Sequence, residues 1–383
     1  MITDPVAVFL VLATVVFASV VLEERFALFR SLGAALVGIL LAMILSNTGL
    51  IPGTSPTYEF LMGPGVSIGI AMILLSVDVK SVLKAGPTML AAFGIGALGT
   101  AVGAFTGAML LAGMVGPETW KLAGQFTGTY TGGGVNFAAL GQALDTSPAM
   151  FSAATAADVI VTAFWMATCL LVPVLLGRPK EKAREAPARQ DPSAEGPLTL
   201  ERALHTSGRA VSLSDTAALV TIAFGAVWLS GQLAVWMPVL PEVLWLTTLV
   251  LIAAQVPAIK ALAGAALWGN YLVLLFLASN GARSVVSSIV EVGPAVFYYA
   301  VVVVAIHGSV IFGLGRLVRL DVRTLAVASQ ANVGGAASAM ALAGARGYSD
   351  RLLPGVAVGL LGYAVGNYLG FGVAALARGV LGS

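Results

Sequence analysis

Two short polar, glycine-rich stretches interrupt an otherwise apolar chain: Thr129-Tyr130-Thr131-Gly132-Gly133-Gly134-Val135-Asn136 and Ser329-Gln330-Ala331-Asn332-Val333-Gly334-Gly335. Glycines and amides unwind a helix and free backbone N–H and C=O groups, which bare hydrocarbon does not satisfy. In a membrane such breaks persist only where they line a cavity or are buried in protein, and a pair in matched halves points to a transporter's binding site. The chemistry on offer is solute binding. The first stretch supplies Thr129, Thr131, Asn136 and the backbone of Gly132, Gly133 and Gly134; the second supplies Ser329, Gln330, Asn332, Gly334 and Gly335. The helix expected after the first glycines turns free amides and its positive dipole end toward the break, a cradle for a carboxylate or another anion. The competing reading is that small residues merely allow close helix packing, and it is the preferred one for Gly128, Gly141 and Gly344.

Asp158 is the sharpest single candidate. It lies inside an apolar run, with Thr155 and Thr162 at i−3 and i+4 on one helical face. A carboxylate at membrane depth is costly and marks an ion or proton path by default. It could hold Na⁺ with neighbouring hydroxyls and carbonyls, or exchange a proton; the alternative is a structural aspartate bonded to the nearby backbone. His307 reads first as a helix–helix hydrogen bond and second as a proton relay. Asn270, Asn280 and Asn367 read as interhelical contacts, although Asn367 follows the second break much as Asp158 follows the first. Asp78, near Lys80, suits an interfacial ion pair, and Trp228, Trp236 and Trp245 suit an aromatic belt.

The elements that must position these residues follow from composition. Of 383 residues, 58% are hydrophobic and 10% charged, and the mean hydropathy is +0.95, which marks an all-α polytopic membrane protein. The net charge is +2 with scattered basic residues, so no nucleic-acid partner is expected. Cys169 is the one cysteine and the two histidines are far apart, so neither a disulfide framework nor a thiolate metal site is expected. No GxxxxGK[ST] loop is present to use ATP, no nucleophile–base set suggests an enzyme, and no cofactor is expected beyond a coupling Na⁺ or H⁺. The N-terminus lacks a positive region and a cleavage signal, so it reads as the first spanning helix.

Ten runs of spanning length lie near 5–22, 30–47, 57–77, 87–114, 148–176, 214–236, 242–259, 263–281, 292–315 and 352–377. The breaks fall between the fourth and fifth and between the ninth and tenth. Each could cross once as a broken helix or dip in and return as a hairpin. With returning hairpins, 17 of the 20 basic residues face the cytoplasm and only Lys121, Arg283 and Arg378 lie outside, so the positive-inside rule favours hairpins. Both termini are then outside, and each half holds five crossings and one hairpin, the second half inverted. The expected organisation is an N-terminal repeat over 1–176, a charged cytoplasmic linker over 177–213 with a short amphipathic helix near 198–204, and an inverted repeat over 214–383. Links ending in Gly86-Pro87 and Gly293-Pro294 occupy corresponding places.

Gly132-Gly133-Gly134-Val135-Asn136 with Ala156-Ala157-Asp158, and Ser329-Gln330-Ala331-Asn332-Val333-Gly334-Gly335 with Pro354-Gly355 and Leu361-Gly362-Tyr363-Ala364-Val365-Gly366, resemble the YjcL-like bacterial membrane proteins, a family catalogued as a domain of unknown function. The resemblance covers the chain outside the linker and implies a multi-pass protein of the bacterial cytoplasmic (inner) membrane. Glycine pairs at hairpin tips in inverted halves are also similar, in architecture only, to the 2-hydroxycarboxylate and glutamate:sodium symporter group, and that similarity implies a homodimeric, cation-coupled carrier of organic anions. The expected function is a secondary active transporter, Na⁺- or H⁺-coupled, that binds a small polar or anionic organic solute between the two tips and works by alternating access. Its partners are membrane lipid and the solute, with Na⁺ possible at Asp158. The second reading is an ion channel or cation/proton exchanger without an organic substrate.

Overall fold

The computed structural model describes residues 2–77, 82, 85–176, 210–284 and 286–382. The linker expected over 177–213, its helix near 198–204, and the Asp78–Lys80 pair therefore lie outside the described residues, except that an N-capping box at Ser212 and Asp215 already starts the next span. All regular structure among the described residues is helical. In chain order the helices are α1 (Pro5–Arg25), α2 (Ala27–Asn47), α3 (Pro56–Phe60), continuing through a π-turn (Leu61–Gly65) into α4 (Val66–Leu75), α5 (Pro87–Val115), α6 (Thr119–Gly132), α7 (Gly134–Ala143) and α8 (Pro148–Leu176). The second half runs α9 (Leu213–Trp236), α10 (Glu242–Ala253), α11 (Pro257–Lys260), α12 (Ala265–Arg283), α13 (Val286–Leu317), α14 (Val322–Ala345) and α15 (Ser349–Leu381).

Among the described residues eight helices are long and apolar enough to cross a membrane, and this is an all-α polytopic membrane protein. The remaining two expected crossings are shorter, Leu32–Asn47 and Glu242–Ala253. The first is cut short because Gly33, at φ +76°, breaks α2. The Gly-Pro links differ from expectation: Gly86 at φ +80° and Pro87 do open α5, whereas Pro294 lies within α13, where the helix already runs from Val286.

Both interruptions fold back as helical hairpins. In the first, α6 and α7 are antiparallel: the Ser147 N–H donates to Glu118 Oε2 (2.9 Å), Lys121 Nζ donates to the Asp145 carbonyl (2.6 Å), and Gln125 Nε2 donates to the Phe137 carbonyl (3.3 Å). The chain reverses at Gly133, whose φ of +92° only glycine adopts without strain. In the second, Gly335 at φ +74° makes the same reversal inside α14. Its two ends meet where Arg351 bonds Thr324 Oγ1 (3.1 Å) and Asp321 Oδ2 (2.5 Å), and where Arg323 sits over the Tyr348 ring.

Helix α15 runs along both hairpins and records their order. A row of glycines at 355, 359, 362, 366 and 370 keeps one face bare, so backbones can approach. A Cβ on Gly355 would strike Val327, and one on Gly359 the Ala336 backbone at 2.5 Å. One on Gly362 would strike Thr131 and Gly132, and one on Gly366 would strike Asn136. Further along, Gly370 abuts Leu140 and the Gly124 carbonyl, and Arg378 lies over the Trp120 ring at 4.7 Å. The helix thus passes the base of the second hairpin, its tip, the tip of the first hairpin and then that hairpin's base. The hairpins enter from opposite ends and meet tip to tip.

Helix α8 makes the same journey in reverse: Pro148 lies at the first hairpin's base, Trp165 donates to Ser329 Oγ (2.9 Å), and the Leu170 carbonyl accepts from Arg346. Helices α5 and α13 cross antiparallel beneath both tips, with Tyr299 OH donating to the Ala104 carbonyl (2.7 Å). These elements pack as one group around the hairpins, and α1 to α4, α9, α10 and α12 pack as another.

Candidate functional site

A cavity of about 400 Å³ opens at the tip junction. Its wall takes Thr129, Gly133 and Gly134 from the first hairpin, Gln330, Val333, Gly334 and Ser338 from the second, and Asp158, Val159, Thr162, Ala163 and Met166 from α8. Leu32 and Gly33 close it from the other helix group. Sequence reasoning missed these two residues. The only signal was an isolated glycine in an apolar run, which spacing alone cannot place beside residues a hundred positions away.

Asp158 lies partly open to this space, and Thr162 Oγ1 donates to its Oδ1 at 3.4 Å. The hydroxyls of Thr129 and Tyr130 reach toward the same carboxylate without closing bonds of ordinary geometry. Tyr130 was not among the residues expected here. Its phenol hides in an aromatic stack with Phe126 (ring centroids 5.6 Å apart), so its sequence neighbours gave only the tip, not the direction of its hydroxyl. Thr155 points elsewhere, donating to the Phe151 carbonyl at 2.9 Å. The carboxylate therefore sits among three hydroxyls, a donor set suited to an alkali cation or a proton; among the described residues no three His, Cys, Asp or Glu side chains gather as a metal site.

The other expected site residues form the frame of the tips. Asn136 Nδ2 donates to the Gly362 carbonyl (2.9 Å), tying the first hairpin to α15, while its Oδ1 has no partner. Gly132 packs against Gly362, and Gly335 against the Gly132 carbonyl and the Tyr363 hydroxyl. Thr131 Oγ1 and both amide atoms of Asn332 are buried without partners beside these backbones. Asn367 donates to Thr247 Oγ1 (3.0 Å) and joins α15 to α10. Asn280 bonds within its own helix, and Asn270 is exposed. Gly128 and Gly141 are packing glycines, against Leu140 and Phe151; a Cβ on Gly344 meets nothing within 4 Å, so packing does not account for it.

His307 is fully buried between the hairpins. Its Nδ1 lies 2.9 Å from the Gly96 carbonyl and 3.0 Å from Thr100 Oγ1, and its Nε2 lies 2.9 Å from Ser329 Oγ. A carbonyl only accepts, so Nδ1 carries the proton and Nε2 of the neutral ring accepts from Ser329. Thr100 in turn donates to the Tyr130 carbonyl at 2.7 Å. Thr100 and His307 stand at equal offsets from Pro87 and Pro294, and they touch each other. This chain of bonds links the first hairpin to the second.

A second cavity of about 400 Å³ lies at the base of the first hairpin, lined by Tyr58, Glu59, Gln142, Asp145, Thr146 and Arg283 among others. Along the hairpin axis the cluster of Phe137, Phe151 and Phe276, with centroids 4.7 and 5.5 Å apart, stands between it and the tips.

A family model described as "Protein of unknown function (DUF819)" matches residues 7–379. The uncharacterized membrane protein YjcL of Bacillus subtilis (strain 168) is 28% identical over 369 residues, spanning 92% of this chain and 91% of that protein.

Proposed function

We propose, from the premise that this chain belongs to the DUF819 family, that it is a secondary active transporter coupled to Na⁺ or H⁺. The observation that carries the proposal is the tip-to-tip meeting of two oppositely directed hairpins at a polar cavity walled by one carboxylate. Unwound glycine tips supply free amides and carbonyls at the depth where a transporter binds its cargo. In this reading both hairpins are re-entrant, the halves 1–176 and 214–383 are inverted repeats, and the solute lies between Thr129, Gly133 and Gly134 on one side and Gln330 and Gly334 on the other. Asp158 with Thr129, Tyr130 and Thr162 holds the coupling ion.

Alternating access finds support in the site wall being shared by two helix groups, with a second cavity at the base of the first hairpin. Displacing the hairpin group against Leu32 and Gly33 would open and close the site without unfolding either group. An ion channel without organic cargo explains less, because the two tips present different side chains to the cavity. The test is uptake of labelled solutes from a metabolite panel into proteoliposomes. Accumulation against a concentration gradient, driven by an imposed Na⁺ or proton gradient, is expected. Ion conductance with no solute accumulation for any member would refute the carrier reading.

A further inference from the structure

Among the described residues, Asp158 is the sole ionisable side chain on the wall of the tip cavity. Across from it α7 begins at Gly134 with no side chain capping its first amides, and a Cβ on Gly134 would meet no atom within 4 Å. The Gly134 and Val135 N–H groups have no side-chain cap and lie at the positive end of a helix dipole, while the Asn136 N–H donates to the Gly133 carbonyl. Gln330, shut off from bulk water, lines the same cavity, and neither its amide oxygen nor its amide nitrogen has a partner. A buried amide with both ends unmet awaits a ligand that both donates and accepts.

Charge balance then narrows the cargo. A fixed negative charge in a low-dielectric site is costly unless it is neutralised, and one bound cation neutralises Asp158. A monocarboxylate would add a second negative charge with no cationic side chain among the described lining residues to offset it, because amides and dipole ends contribute only partial charges. A zwitterion adds no net charge and satisfies both kinds of orphan. Its carboxylate takes the α7 amides and Gln330 Nε2, and its ammonium takes Gln330 Oε1 and the Ser338 hydroxyl. The apolar part of the wall, Val159, Met166 and Val333, accommodates a small hydrocarbon substituent.

We infer that the cargo of this site is a zwitterion of zero net charge, with ammonium and carboxylate disposed as in an α-amino acid, bound together with one cation at Asp158. The movement of this cargo rests on the transporter reading; its binding does not. The test heats the purified full-length protein in detergent with matched compounds on one carbon skeleton: each net-neutral protein amino acid, the corresponding 2-hydroxy acid and the corresponding amine, in sodium or choline chloride across a pH series. At least one amino acid is expected to raise the unfolding midpoint by about 2 °C or more, with no rise for its hydroxy acid or amine. An equal or larger rise with the hydroxy acid overturns the inference, and so does the absence of a rise with every amino acid. The stabilising amino acid is then offered to proteoliposomes. Uptake carrying about one elementary charge per solute meets both claims, whereas binding without gradient-driven uptake refutes the transporter reading and leaves the zwitterion assignment standing.

Discussion

Two glycines of the first tip, Gly132 and Gly134, are expected to respond in opposite ways to the same added methyl. A Cβ on Gly132 would lie 2.2 Å from the Gly362 carbonyl carbon and oxygen and 2.6 Å from Asn136 Nδ2. Backbone atoms of α15 cannot rotate aside, so the hairpin and the helix must separate by about 1 Å or more. Overpacking of this kind costs about 1–3 kcal/mol. Loss of the Asn136–Gly362 bond, which strands a buried donor and acceptor, adds about 1–3 kcal/mol. At Gly134 the added Cβ meets nothing within 4 Å, and alanine in a helix gains about 0.5–1 kcal/mol over glycine. The difference between Gly132→Ala and Gly134→Ala is therefore about 2.5–7 kcal/mol, a gap in unfolding midpoint of roughly 3–9 °C for a chain of this length. Thermal unfolding of the detergent-solubilised variants reads it directly. Equal midpoints, or a Gly134→Ala variant that unfolds first, would refute the tip geometry. Gly134→Ala is also expected to fold while losing solute binding, because its methyl occupies the cavity.

Other expectations follow from the same geometry. Gly133→Ala and Gly335→Ala force a side chain onto φ values of +92° and +74°, and each should lower stability by about 1–2 kcal/mol in the same melting assay. His307→Leu removes the acceptor of the Ser329 hydroxyl proton and the ring N–H shared by the Gly96 carbonyl and Thr100 Oγ1, while Ser329 Oγ still accepts from Trp165; it should cost about 1–3 kcal/mol, and a neutral His307→Leu would show that the bond chain does not hold the tips. In a Cys169→Ser background, Asp145→Cys and Asp350→Cys place thiols at the bases of the two hairpins. Membrane-impermeant reagents should label the first from outside and the second only from inside, and labelling of both from one side would remove the inverted arrangement.

Much of this fold was legible because its signals are local. Apolar runs of spanning length and the basic residues of the loops gave the helices, and the glycine triplet and glycine pair gave the two breaks. What stayed hidden depends on tertiary placement. Gly33 becomes a cavity residue only because α2 breaks beside α8. Thr155, at the expected helical offset from Asp158, turns to its own helix carbonyl because Phe151 O lies closer. Asn136 and Asn332 share the composition of Thr129 and Gln330, yet the glycine row of α15 draws Asn136 onto Gly362 and the crossing of α5 brings Gly96 against Asn332. The motif therefore named the tips, and only packing separates the residues that frame them from those that face the cavity.

The central claim is that Asp158 couples an ion to the movement of a solute held between the tips. Its most direct test measures uptake into proteoliposomes with and without Na⁺ and proton gradients, for the wild type and for Asp158→Asn, which keeps the size and removes the charge. The wild type should accumulate solute only when a gradient is imposed, and the variant should lose accumulation while still exchanging solute down its own gradient. Gradient-driven accumulation at the wild-type level in Asp158→Asn would contradict the account.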